Sequence, residues 1–134
     1  MSLTDDERNA IVEYRIEKAF SALDDVRQAA AGGRWSMAAN RLYYAIYHAA
    51  SALLINDGYE ARTHNGVITL ISKHYVMSGI LPKEDGRLMK KIFELRQEAD
   101  YDDFIDATEA DINDYLPLAE TFINRFVSLI HHDN

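Results

Sequence analysis

Apolar residues recur every three to four positions from Ile11 to Ile130, and no useful stretch alternates in the two-residue rhythm of a strand. That periodicity restricts the chain to packed helices. Thr4 with Glu7 reads as a capping box, after which Ile11, Ile16, Ala19, Phe20, Leu23 and Val26 form one stripe. "AAAGG" at 29–33 ends this first helix, with Gly32 or Gly33 as the stop. A second helix begins near Ser36 and stops at "NDG", where Gly58 is the terminator. A third, capped by Thr63, is expected to reach Ser78–Gly79. Pro82 stands at the first turn of a fourth, where its missing N–H does no harm. That helix continues through "GRLMKKIFELRQEA" towards the acidic "DYDDFID". Thr108 and Asp111 cap a fifth, whose apolar side holds Ile112, Leu116, Ala119, Phe122, Ile123, Phe126 and Ile130. Pro117 predicts a kink or a break in it. The expected fold is all-α, an antiparallel up-and-down bundle of four to five helices in one domain over 1–134.

No cysteine is present, which excludes a disulfide framework and a thiolate metal site. The longest apolar run falls short of the roughly 18–20 residues of a membrane span, and "MSLTDDERNA" lacks the apolar core of a signal peptide. Both point to a soluble, cytoplasmic protein with no membrane partner. The formal net charge is −8, unevenly spread. Residues 60–96 carry seven Lys/Arg against four Asp/Glu, whereas residues 97–134 carry one against ten. A protein that grips nucleic acid through phosphate neutralisation is basic over its contact face. Only the middle third, with Lys83, Arg87, Lys90, Lys91 and Arg96, offers such a face, and the same residues suit an ordinary solvated helix side.

Residues 40–56, "NRLYYAIYHAASALLIN", hold a single charged side chain, Arg41. On a 3.6-residue wheel Ala39, Leu42, Tyr43, Ile46, Ala50, Leu53 and Leu54 make one broad stripe. Ala38, Ala45, Ala49 and Ala52 fall on another side, where small residues admit a neighbouring helix. Asn40, Tyr44, Tyr47 and Ser51 line a third flank, with His48 and Arg41 beside it. A helix without a charged side is buried on most sides, so this one belongs at the bundle centre. Its polar flank must meet hydrogen-bonding partners. A core network of Tyr and His tips, a homodimer seam and a ligand-facing surface each meet that need.

Metal chemistry has little support. Carboxylate-bridged bundles use Glu-x-x-His pairs on two helices, and none occurs here. His131 and His132 adjoin at a helix end, and no H-E-x-x-H, P-loop, G-x-G-x-x-G or nucleophile elbow is present. No metal or cofactor is expected. The remaining polar cluster is "FELRQEADYDDF", in which Leu88, Ile92, Leu95 and Ala99 continue the buried stripe. Arg96 and Asp100, four apart, lie at its edge, and Asp103 follows if the helix persists. Such a pair is an ordinary surface ion pair of a few tenths of a kcal/mol (about 0.3–0.5). An arginine beside a buried stripe equally suits phosphate or carboxylate recognition through its planar fork.

"EYRIEKAFSAL", "AANRLYYAIYHAASALL", "ARTHNGVI" and "LRQEADYDDF", in that order, resemble the HEPN domains (higher eukaryote and prokaryote nucleotide-binding) over nearly the whole chain. The similarity is greatest to small stand-alone bacterial and archaeal members. The resemblance implies a bundle of four to five helices, usually dimeric, often encoded beside a minimal nucleotidyltransferase with which it forms a complex. Many such pairs act as toxin and antitoxin, the HEPN partner being a metal-independent ribonuclease. The family motif is an Arg followed after four to six residues by a His near the dimer interface, and in some pairs a nearby Tyr receives AMP. Arg96 matches the motif arginine, but Tyr101, Asp102 and Asp103 occupy the histidine positions. Histidine titrates near neutral pH and so can take the proton of a ribose 2′-hydroxyl, whereas tyrosine and aspartate in ordinary surroundings titrate far from it. His48 or His64 could substitute from another helix or a second subunit.

Within that resemblance, the missing histidine and the acidic C-terminal third favour, first, a non-catalytic or weakly catalytic HEPN module in a toxin–antitoxin-like pair. It would bind a nucleotide or a nucleotidyltransferase partner through Asn40, Tyr44, His48 and His64, with His48 and its neighbours facing the groove or dimer seam where Arg96 points. The alternative is an active metal-independent ribonuclease toxin using Arg96 with Asp100, Tyr101 or a histidine from elsewhere. A purely structural dimeric bundle is the third reading.

Overall fold

The structure, a computed structural model, describes residues 3–101 and 106–132. Three helix starts are fixed by threonine. Helix α1 (Asp5–Ala31) opens on the expected capping box: Thr4 Oγ1 accepts from the Glu7 N–H at 3.1 Å and Glu7 Oε1 from the Thr4 N–H at 3.0 Å. Helix α3 (His64–Ile71) starts at Thr63, whose Oγ1 accepts from the Gly66 N–H at 2.9 Å. Helix α5 (Glu109–His132) opens on Thr108 and Asp111, each side chain accepting from the other's backbone N–H. Helix α2 (Trp35–Asn56) has no side-chain cap, and α4 (Lys83–Tyr101) follows Pro82 directly.

Only three residues separate α1 from α2, and Gly33 at φ 69° makes the reversal there. The two helices therefore run antiparallel, and theirs is the most extensive interface of the bundle. Helix α2 also packs on α3, α4 and α5, which places it at the centre as its charge-free sequence requires. Its Leu42, Leu53 and Leu54 join Val26, Ile92, Phe122, Phe126 and Ile130 in the core, all 2% exposed or less. Burying side chains of this size contributes roughly 1.5–3 kcal/mol each. Phe122 and Phe126 stack with ring centroids 4.0 Å apart, joining successive turns of α5.

Three details differ from expectation. The third helix is α-helical only to Ile71 and continues as a π-helical turn over Ser72–Val76, with the Met77 N–H bonded to the Ser72 carbonyl at 2.9 Å. Pro117 does not break α5, which runs through it with the proline on the exposed side. Phe20 lies off the buried stripe of α1 and is 39% exposed. Asp102 and Asp103 fall outside the described residues. No helix of the described residues is long and apolar enough to cross a membrane.

Candidate functional site

Arg96 sits in the last two turns of α4, where the buried stripe turns towards α2. It is 9% exposed, so its charge requires fixed partners. Its Nε donates to Asp100 Oδ2 at 3.0 Å and an Nη to the Tyr101 hydroxyl at 3.2 Å. Asp100 Oδ2 also accepts from Asn40 Nδ2 at 2.9 Å, which links the end of α4 to the polar flank of α2. The guanidinium lies over three rings, 4.9 Å from the Tyr43 centroid, 5.2 Å from Tyr101 and 5.7 Å from Tyr44. Contacts of that kind are worth about 0.5–2 kcal/mol each, more as water is excluded. The Arg96–Asp100 pair is thus part of a partly dry cage, beyond an ordinary surface i,i+4 pair. A planar cation pinned along one edge in this way keeps further N–H donors in fixed directions, an arrangement chemically able to receive an anion.

Tyr43 connects this cage to α3. Its ring is 5.2 Å from that of His64, and His64 packs at 4.6 Å on Tyr47. The Thr63 cap makes His64 the first residue of α3, which turns its ring towards α2. Burial, and then the Arg96 charge, hold the His64 pKa below the usual histidine value, so its ring is neutral at pH 7. A neutral imidazole beside a guanidinium can accept a proton where an anion is held. The Tyr43 hydroxyl is buried with no hydrogen-bond partner among the described residues, and burial pushes its pKa up. Tyr43 therefore serves as an aromatic wall, a role that its place on the apolar stripe of α2 did not single out.

His48 has a partner from α1 in addition to its neighbours Tyr44 and Tyr47 on α2. Its Nδ1 meets Arg15 Nη1 of α1 at 3.2 Å. Burial first, and then the charges of Arg15, Lys18 and Arg41, lower its pKa to about 4. An arginine only donates, so Nδ1 accepts and the ring proton resides on Nε2. The rings of Tyr44 and Tyr47, 6.2 and 5.8 Å away, are its links to the Arg96 cage. The site thus joins Arg96, Asp100, Tyr101, Asn40 and Tyr44 directly, reaches His64 through the Tyr43 ring and reaches His48 through the Tyr44 ring. Arg41 stands beside His48 on the helical wheel, whereas Arg15 and Lys18 of α1 are not singled out by the sequence, although they are spaced for one helix face.

Among the described residues no group of three or more His, Asp or Glu is placed to hold a metal ion. His131, at the end of α5, pairs with Glu13 of α1 at 2.9 Å.

A Thermotoga maritima protein named "UPF0332 protein" is 33% identical over 103 residues, 77% of this chain and 78% of that one. An Archaeoglobus fulgidus protein of the same name is 34% identical over 90 residues, 67% of this chain and 71% of its own. A Methanocaldococcus jannaschii protein named "Putative toxin MJ0605" is 39% identical over 61 residues, 46% of each chain. The HEPN domain model matches residues 12–130, which span all five helices except the first turns of α1 and the last residues of α5. The chain belongs to the HEPN domain family.

Proposed function

We propose that this protein is the HEPN half of a toxin–antitoxin-like pair, binding a phosphate of a nucleotide or RNA at Arg96 and docking a minimal nucleotidyltransferase. The observation that carries this reading is the cage around Arg96: a cation 9% exposed, held by Asp100 and Tyr101 and lying over three aromatic rings. A guanidinium fixed at that cost of desolvation suits an anion brought from solution. The absence of a histidine at 101–103 favours binding over cleavage. Toxin-like names among relatives support a pair of this kind. Tyr101, 67% exposed while touching Arg96, suits an acceptor of AMP from the partner. A homodimer with Asn40, Tyr44 and Arg96 near its seam is part of the same reading.

Purified protein is expected to bind a short oligoribonucleotide without cutting it, and Arg96→Ala to bind it poorly. Metal-free cleavage that disappears in Arg96→Ala overturns the non-catalytic reading. The adjacent gene is expected to encode a minimal nucleotidyltransferase, co-expression with which yields a stable complex and, after incubation with ATP, a mass increase of one AMP on Tyr101. Two proteins that do not co-purify end the partnership part. A metal-independent ribonuclease is the second reading, favoured by His64: a neutral imidazole that shares the Tyr43 ring with Arg96. In it His64 takes the 2′-hydroxyl proton, the 2′-oxygen attacks phosphorus, and the 5′-oxygen leaves with a proton from Tyr101 or water. Cleavage that survives His64→Gln excludes that route.

A further inference from the structure

Three cations converge on His48 from two helices, outside the Arg96 cage. Arg15 of α1 meets His48 Nδ1 at 3.2 Å, Arg41 of α2 lies over Tyr44, the ring next to His48, and Lys18 stands three residues beyond Arg15 on the same face of α1. In a chain of net charge −8 these cations are poorly neutralised. Among the described residues, the one carboxylate oxygen within 4.0 Å of any of them is Asp25 Oδ2, at 3.9 Å from Arg41 Nη1. Arg41 Nε is buried with no partner among the described residues. Lys18 Nζ rests 5.1 Å from the centroid of the Tyr14 ring, at the exposed edge of α1. His48 Nδ1 is occupied by Arg15, which leaves Nε2–H as a donor. The cluster therefore offers donors and positive charge towards solvent, and its mutual repulsion is relieved by an anion.

The cluster also joins the first site. Tyr44 lies between them, with the Arg41 guanidinium 4.9 Å and the Arg96 guanidinium 5.7 Å from its ring centroid. From Tyr44 to His48 is four residues, a rise of about 6 Å along α2. Two cationic points set apart along one helix, with an aromatic ring between them, match a chain that carries successive phosphates better than one isolated phosphate.

We infer that Arg15, Lys18, Arg41 and His48 Nε2–H form a second phosphate site, holding a backbone phosphate of a single-stranded RNA whose adjacent phosphate lies at Arg96. This rests on the reading of Arg96 as a phosphate holder.

The test is fluorescence anisotropy of the full chain with a labelled single-stranded oligoribonucleotide, titrated at several salt concentrations. Lys18→Gln touches only an exposed side chain, and Arg15→Gln/Lys18→Gln removes the two cations that α1 gives to the cluster. Lys73→Gln, an exposed cation of the π-helical turn, is the charge-matched control for Lys18→Gln, and Lys73→Gln/Lys83→Gln, both exposed, for the double variant. The double variant is expected to bind about tenfold more weakly near 0.1 M salt, and Lys18→Gln severalfold more weakly. The slope of log K against log salt should fall by about 1.4 in the double variant, two contacts at about 0.7 each. Loss in Arg96→Met, with each α1 variant matching its charge-matched control, overturns the second site and leaves the Arg96 reading intact. No binding by the unaltered protein overturns both. A labelled ATP that binds and responds to Lys18→Gln, where RNA does not, overturns the assignment to a strand. So does a changed oligomeric state of the variants in sedimentation with RNA affinity unaltered.

Discussion

Arg125→Met separates the partners of a buried ion pair that helps to seat the site. Asp85 lies in the first turn of α4, the helix that carries Arg96, with its side chain 4% exposed. Arg125 of α5 donates to its Oδ1 at 2.6 Å, while Oδ2 is buried with no partner among the described residues. With charge centres about 4 Å apart and an effective dielectric near 20, the attraction is about 4 kcal/mol. Arg125 keeps 38% of its side chain in water, which screens part of this, and the expected loss at pH 7 is about 2–4 kcal/mol. The loss has a ceiling, because the carboxyl can take a proton. From an unfolded pKa of about 4, protonation costs about 4 kcal/mol at pH 7 and about 1.4 kcal/mol at pH 5. Burial, partly offset by Arg125, already raises the Asp85 pKa. A carboxyl with a higher pKa folded than unfolded costs nothing below the unfolded value and loses stability as pH rises through the folded one. Removing Arg125 widens that gap, so the deficit against the parent protein must shrink as pH falls from 7 to 5. Asp85→Asn, which leaves Arg125 free to turn to water, should cost only about 1 kcal/mol, and the double variant should match it. Urea unfolding followed by circular dichroism at both pH values measures all four proteins. An Arg125→Met deficit equal at the two pH values, or no larger than that of Asp85→Asn, refutes the reasoning.

Three further outcomes are expected. Arg96→Met should raise the His64 pKa in an NMR titration, because Arg96 is one of its two depressing influences, and leave His48 in place, because the cations acting on His48 are Arg15, Lys18 and Arg41. Equal movement of both histidines would contradict the separation of the two sites. Thr63→Ala should cost about 1 kcal/mol and speed hydrogen exchange at the start of α3 before the rest of the bundle, as the cap on the Gly66 N–H is lost. Pro117→Ala should raise stability by about 1–2 kcal/mol in thermal unfolding, since a helix-interior proline is unfavourable by about 3 kcal/mol and its stiffness in the unfolded chain returns about 1. A fall instead would mean that the packing of α5 depends on a bend at that residue.

The helices were legible because their causes are local. Thr4, Thr63 and Thr108 cap from within three residues, and the central place of α2 follows from a stretch with one charge in seventeen residues. The π-helical turn was not legible, since adding one residue to a turn leaves no mark on a periodicity of three to four. Its consequences are long-range: Tyr75 in that turn bonds Asp57 at the end of α2 at 2.5 Å, and His74 stacks on Tyr59 at 4.3 Å. Neither pairing has a sequence signature. The buried Asp85 was likewise hidden, because its partner lies forty positions away.

The two histidines show most clearly where a helical wheel stops. The wheel places His48 beside Tyr44 and Tyr47, and it also places Arg96 on the inner edge of α4, so a shared groove is a natural inference. Which helix covers each part of the α2 flank, however, depends on how α1 and α3 cross it. Helix α1 brings Arg15 to His48, and the Thr63 cap brings His64 to Tyr47 and Tyr43. The result gives the two imidazoles different chemistry from similar causes. Both are held neutral by burial and by arginine, and each shares a ring with Arg96, His64 that of Tyr43 and His48 that of Tyr44, yet only His48 has its Nδ1 committed to an arginine, Arg15, among the described residues. A proton acceptor needs a free ring nitrogen at the held anion, and a donor to phosphate needs a free N–H. Under the proposed readings His64 is the candidate for the first role and His48 for the second, so His48→Gln is expected to weaken RNA binding, whereas His64→Gln bears only on the ribonuclease reading.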